Sequence, residues 1–236
     1  MRNAKSGLSA HSLKMIMVAL MLMDHLTYFF PHIFPLWFRF AGRLVAPTFA
    51  FLMTVSLYHT RNRIGYIFRL GGAGLIMLAG STLITGAVGG WPITNTIFLS
   101  LAVSAAMIVT LEQMPIELGR GKLLNVFGQS ILLLALIAAA SFVEGFFLLP
   151  FIALTFYFLR GNRLAICLVY ILGGSAVVWL SGFQDYQHLQ ALALIPIFFY
   201  NGEKGRSGAF GKWFFYLFYP LHIWALYLIR HWFFFG

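Results

Sequence analysis

Met21-Leu22-Met23-Asp24-His25 lies inside an apolar run, Leu13 to Phe30, that only Lys14 and Thr27 otherwise interrupt. A run of about 20 such residues is long enough to cross a bilayer as a helix. This one carries a carboxylate and an imidazole side by side. On insertion scales an Asp near the middle of a membrane helix costs roughly 3 kcal/mol. A chain that keeps such groups in a span sets them against partners or water and normally uses them. The plain alternative is a polar pair that only joins helices or reaches the interface. Adjacent helical residues point about 100° apart, so Asp24 and His25 each need a partner from another helix.

The rest of the chain agrees with a membrane setting. Of its 236 residues, 61% are hydrophobic and 9% charged, and 26 are Phe. A soluble domain carries about 25% charged residues. Mean hydropathy is +0.86. The sequence predicts an all-α, polytopic helical bundle forming a single domain over residues 1–236. Nine spans are expected, at about 11–30, 43–60, 64–87, 93–112, 123–142, 146–160, 163–181, 186–201 and 212–232. The sixth and eighth are short. With the N-terminus in the cytoplasm, 13 of the 16 Lys and Arg fall on cytoplasmic ends, leaving Arg39, Arg43 and Arg230 outside. That asymmetry is the positive-inside rule, and the mirror-image topology violates it. The first run lacks a small-x-small cleavage site and reads as a retained helix. The net charge of +10 is scattered in short clusters between spans, which excludes a nucleic-acid patch. The lone Cys167 excludes an internal disulfide or a thiolate metal site.

In this topology Asp24, His25, Arg39, Arg43, Asn95, Glu144 and His222, the last at mid-depth, share a similar height toward the outer leaflet. Arg43 is the natural bidentate partner for Asp24. Glu144 or His222 could orient His25. Pro47 lies near the start of the second span, where it begins or bends a helix, and Gly42 suits a tight entry or close packing. On the cytoplasmic side Arg61, Arg63 and Arg69 flank a turn. They read either as topology-setting charge or as a site for cofactor phosphates. Lys212, Tyr216, Tyr219 and His222 keep near-helical spacing, so a polar stripe runs inward along the last span. The other histidines lie near span ends or in loops, and Trp37, Trp91 and Trp213 read as an aromatic belt. No cluster has metal-ligand spacing, and no nucleophile elbow or phosphate loop occurs. Gly71-Gly72-Ala73-Gly74 reads as a packing surface.

Several segments, in order, resemble the TraX family. Leu20-Met21-Leu22-Met23-Asp24-His25 resembles its L-M-x-x-D-H, and Gly42-Arg43 with Pro47 and Phe49 its G-R-x-x-x-P-x-F. Arg69-Leu70 resembles its R-L, and Asn95 with Phe98 its N-I-L-F, from which Thr96 departs. Glu144-Gly145 stands where the family often has Y-G or D-G, and Phe218-Tyr219-Pro220-Leu221-His222 resembles its F-Y-x-x-H. The resemblance implies a membrane-embedded acyltransferase of the bacterial inner membrane that uses acetyl-CoA. Its type member acetylates a conjugative pilin, and more distant relatives modify sugars.

Acetyl transfer needs a base for the acceptor and a donor for the tetrahedral oxyanion. The expected roles are His25 as base, Asp24 as an orienting carboxylate paired with Arg43, and Asn95 or His222 as oxyanion donor. Arg69 first, with Arg61, Arg63, Lys212 and Tyr216, would hold acetyl-CoA. The acceptor would be an amine or hydroxyl of an envelope protein or glycan. A small carrier or permease, or a non-catalytic pilus or secretion assembly factor, would also carry ionisable groups in its spans. The expected partners are acetyl-CoA, that acceptor and the lipid bilayer, with a homodimer as a compatible assembly and no nucleic acid.

Overall fold

The structure is a computed structural model. It describes residues 6–182, 185–205 and 209–235, without the side chains of 185, 209–212, 234 and 235. Helices dominate. α1 spans Ala10–Phe29, α2 Trp37–Gly42, α3 Val45–His59, α4 Arg63–Val88, α5 Ile97–Gly119, α6 Leu123–Ala140 and α7 Leu148–Phe158. α8, Arg163–Leu168, passes through a π-helical turn, Val169–Gly173, into α9, Gly174–Leu180. A 3-10 helix over Asp185–Ala193 leads into α10, Leu194–Phe198, and α11 covers Ala209–Phe235. The chain divides into two compact units. One is built from Met1–Phe49, Ser81–Ile93 and Phe183–Gly236, the other from Ala50–Gly80 and Thr94–Gly182.

Among the described residues, six helical stretches are long and apolar enough to cross a membrane: Ala10–Phe29, Trp37–His59, Arg63–Val88, Ile97–Gly119, Leu123–Ala140 and Arg163–Leu180. This makes the chain a multi-pass helical membrane protein and corrects the expected count of nine. The sixth expected span is the 11-residue α7, only about 16 Å long. The ninth, α11, has the length at 27 residues, but its Tyr, Trp, His and basic residues dilute its apolar character. The eighth is not an α-helical span at all. It is the nine-residue 3-10 helix followed by the five residues of α10. At about 2 Å per 3-10 residue and 1.5 Å per α residue it still reaches about 25 Å. Gln187 at its start bonds Arg43, and a parallel bridge joins Tyr200 at its far end to Leu8. It therefore runs antiparallel to α1 along most of that helix.

In the first unit, α1 and α11 run side by side in the same direction. Lys14 lies over the Phe215 ring at 5.3 Å, His25 meets His222, and the Phe29 and Tyr227 rings are 6.3 Å apart. Each helix buries one stripe at three- and four-residue spacing. On α1 it is Leu13, Met17, Met21, Asp24 and His25; on α11 it is Tyr219, His222, Ile223, Leu226 and Tyr227. Inside lipid the hydrophobic effect does not draw helices together, so close packing and polar contacts must do so. Gly42 shows the packing part. A Cβ there would lie 2.8 Å from Asp24 Oδ1 and closer still to its carbons. Pro47 occupies the first turn of α3, where its missing N–H costs nothing. The start of α1 is tied by backbone bonds to the segment before α11: Leu8 N–H to Phe199 O, Asn201 N–H to Leu8 O, Ala10 N–H to Glu203 O and His11 N–H to Lys204 O.

In the second unit, α7 runs parallel to α5. Ser100 bonds the backbone carbonyl of Glu144 at one level, and Tyr157 bonds Glu112 at the other. Gly74 supplies the close approach of α4 to α5, since a Cβ there would lie 2.6 Å from Leu99 Cγ. In α6 only Ala140 is buried; a stripe of Val126, Gln129, Ser130, Leu133, Leu136 and Ala139 is half-buried, and the rest faces outward, toward lipid.

Candidate active site

The inward stripe of α1 carries Asp24 and His25 into the interior of the first unit, 9% and 6% exposed. As the helical geometry requires, they have different partners. Asp24 meets two guanidinium groups rather than one. Arg43 Nη2 donates to both carboxylate oxygens at 3.1 Å, and Arg39 Nη1 lies 3.1 Å from Oδ1. Arg39 and Arg43 stand four residues apart, on either side of the junction that ends α2, so both reach one carboxylate. Arg43 is held at every donor group. Its Nε donates to Arg39 O at 3.1 Å and its Nη1 to Gln187 Oε1 at 2.8 Å. Its guanidinium also lies 5.5 Å from the centre of the Tyr186 ring.

His25 meets His222. Its Nδ1 is 2.7 Å from His222 Nε2, and the two rings stack with centroids 5.0 Å apart. His222 Nδ1 lies 2.6 Å from the Phe218 carbonyl oxygen. These contacts fix the proton order. A carbonyl oxygen only accepts, so His222 Nδ1 carries the hydrogen and His222 Nε2 is the acceptor. His25 Nδ1 must then donate, and the lone pair of His25 is left on Nε2. No residue among those described bonds that nitrogen. Phe218 stacks on the far side of His222 at 4.7 Å, and Tyr219 sets its edge toward both imidazoles at 6.1 and 5.8 Å. The result is a buried, oriented imidazole, held by a second imidazole where a histidine is often held by a carboxylate.

A model of the TraX protein family matches residues 9–230. This chain belongs to the TraX family. It is also similar to the probable fimbrial assembly protein FimC, serogroup H1, of Dichelobacter nodosus. The two are 28% identical over 240 residues, covering 91% of this chain and 93% of the relative. No solved structure matches the chain. Three of the TraX-like segments, those of Asp24-His25, Gly42-Arg43 and Phe218 to His222, are the ones that meet in the first unit.

The other candidate residues of this TraX chain have different settings. Glu144 and Asn95 belong to the second unit. Glu144 closes a reciprocal clasp at the start of α5. Its carboxylate accepts the Thr96 N–H at 2.9 Å, and its own N–H donates to Thr96 Oγ1 at 2.9 Å. A carboxylate there also suits the positive end of the helix. Asn95 is half-buried just before that helix. His222 has a partner at each ring nitrogen, the Phe218 carbonyl at Nδ1 and His25 at Nε2.

Of the residues expected to hold cofactor phosphates, Arg63 is paired with Glu112, whose carboxylate also accepts the Tyr157 hydroxyl at 2.9 Å. Arg61 and Arg69 are exposed, the latter 5.6 Å from the ring centre of its own-helix neighbour Tyr66. Tyr216 is half-buried. The Lys212 side chain lies outside the described residues. Arg160, which the sequence suggests only as a topology charge, lies over the rings of Tyr58 and Tyr157 at 4.4 and 4.8 Å.

Proposed function

We propose that this TraX-family protein is a membrane-embedded acyltransferase of the bacterial inner membrane. It takes an acetyl group from acetyl-CoA and places it on an amine or hydroxyl of an envelope or exported acceptor, such as a pilin N-terminus or a glycan. The observation that carries this reading is the ordered chain from the Phe218 carbonyl through His222 to His25, which leaves a buried imidazole lone pair on Nε2. In the reaction His25 Nε2 takes the proton of the acceptor N–H or O–H as that atom attacks the thioester carbon. The carbon–sulfur bond then breaks, and the proton passes from His25 to the departing thiolate. His222 shares the charge that His25 gains. Asp24, clamped by Arg39 and Arg43, fixes the first helix at the depth of the reaction. Arg61 and Arg69, exposed and without a carboxylate partner among the described residues, suit the anionic phosphates of the donor. Glu144 is assigned to the clasp on α5.

The test is turnover by the purified protein. Wild type should release CoA from acetyl-CoA, and His25→Ala should lose about 10²-fold or more of that rate while eluting as the same monodisperse species. Undiminished release by His25→Ala would remove it from the chemistry. Mass spectrometry of envelope proteins and glycans, with and without the gene, then identifies the acceptor by its acetyl shift.

The name of the Dichelobacter nodosus relative favours a second reading, a non-catalytic assembly factor. On that reading acetyl-CoA is neither bound nor consumed, and changes at Asp24 or His25 act only through stability.

A further inference from the structure

A separate cleft of about 210 Å³ opens at the end of the first unit where α4 and α11 finish. It is lined by Gly89, Gly90, Trp91, Tyr227, Arg230 and His231. The sequence suggests only an aromatic belt residue and a stray positive charge here. The structure makes more of them. The Tyr227 hydroxyl donates to the Trp91 carbonyl at 3.0 Å, which pins the loop after α4 to α11. Gly90 makes that bond possible, because a Cβ there would collide with the Tyr227 hydroxyl. The Arg230 guanidinium lies 4.5 Å over the Trp91 indole. It has no carboxylate among the described residues. The one described acid in a span of this unit, Asp24, is already shared by Arg39 and Arg43.

Both helices end here, which puts the cleft at headgroup depth. A guanidinium stacked on an indole is pre-aligned, and its planar fork of donors matches phosphate oxygens. A basic pocket between membrane helices at this depth is suited to an anionic headgroup. The cleft is distinct from the histidine pair. Tyr227 packs its ring on Phe29, one turn of α1 beyond His25. The geometry points to a phosphate-binding site in this cleft, taking the phosphate ester of an anionic amphiphile. Arg230 supplies the charge, Trp91 covers the ligand's apolar face, Gly89 leaves open space for it, and Gly90 lets Tyr227 hold the Trp91 loop in place.

The experiment uses the full chain in detergent, exchanged into nanodiscs of phosphatidylcholine with or without phosphatidylglycerol. Native mass spectrometry then counts the phospholipid retained after mild delipidation. Wild type should retain phosphatidylglycerol over phosphatidylcholine. Arg230→Gln should lower that retention at least fivefold, and Gly90→Ala should lower it with every charge in place. Arg120→Gln, at an exposed arginine paired with Glu117, should not change it. Displacement by millimolar glycerol phosphate would identify the phosphate group alone as the ligand; resistance to it would identify the intact lipid. Equal retention by wild type, Arg230→Gln and Gly90→Ala, or no preference by wild type, overturns the proposal. The readout is independent of acetyl transfer, so its failure leaves the role of His25 untouched.

Discussion

At the scale of residues, one hydrogen bond to a backbone carbonyl orders the protons on two imidazoles. His222→Ala removes the acceptor for the His25 Nδ1 hydrogen and frees the ring to turn. CoA release should fall by about 10- to 10²-fold, less than for His25→Ala, with the KM for acetyl-CoA unchanged. Stopped assays across donor concentrations separate the two constants. Asp24 sets a second test. Asp24→Asn leaves two guanidinium groups facing each other without a counter-charge and should cost about 3–5 kcal/mol, as when one partner of a buried pair is removed. Arg39→Gln leaves Arg43 on the carboxylate and should cost far less. Thermal denaturation in detergent ranks them, and a cycle over Asp24→Asn and Arg43→Gln measures the coupling. Much of this was legible beforehand. Asp24 and His25 had to have partners because of where they lie, and Arg43 and His222 were the groups at matching depth. Arg39 was harder to assign, since at an interface a second arginine looks like an anchor. Gln187 was invisible because its partner is set by a 3-10 segment that has no periodicity of its own to read.

At the scale of elements, glycines decide how closely helices approach. Gly42→Ala drives a methyl group into Asp24 and should destabilise by about 1–3 kcal/mol. Gly72→Ala meets open space and should be neutral, or stabilising by up to about 1 kcal/mol through helix propensity. Melting curves of the pair test whether contact or composition governs. The Glu144 clasp gives another comparison. Glu144→Ala strips the Thr96 N–H of its acceptor and should cost about 1 kcal/mol. Glu144→Gln keeps an acceptor and should retain both stability and turnover. Loss of turnover by the Gln variant alone would place Glu144 in the chemistry. Spans were legible wherever apolar runs were long, and ambiguous at α7 and at 185–198. Hydropathy counts residues per window, but depth crossed depends on rise per residue. A stretch wound as a 3-10 helix goes further with fewer residues, which sequence windows do not register.

For the molecule as a whole, the parallel course of α1 and α11 sets the sidedness of the chain. Reporters placed before α1 and at Glu203-Lys204 should read the same compartment, and one placed after residue 235 the opposite one. Alkaline phosphatase and fluorescent fusions check this directly. The positive-inside bias predicts which compartment is which. The pairing of the first helix with the last also has a consequence for biosynthesis. His25 and His222 are 197 residues apart in the chain, and the strap over the start of α1 comes from residues 199–204. A ribosome releases the first helix long before either arrives. Asp24 gains Arg39 and Arg43 with the very next element, but until the final helix is inserted His25 waits in the bilayer without His222, so the histidine pair is the last feature of this protein to mature. A nascent chain cut short before α11 would leave His25 unpaired in the membrane, a natural target for quality-control proteolysis.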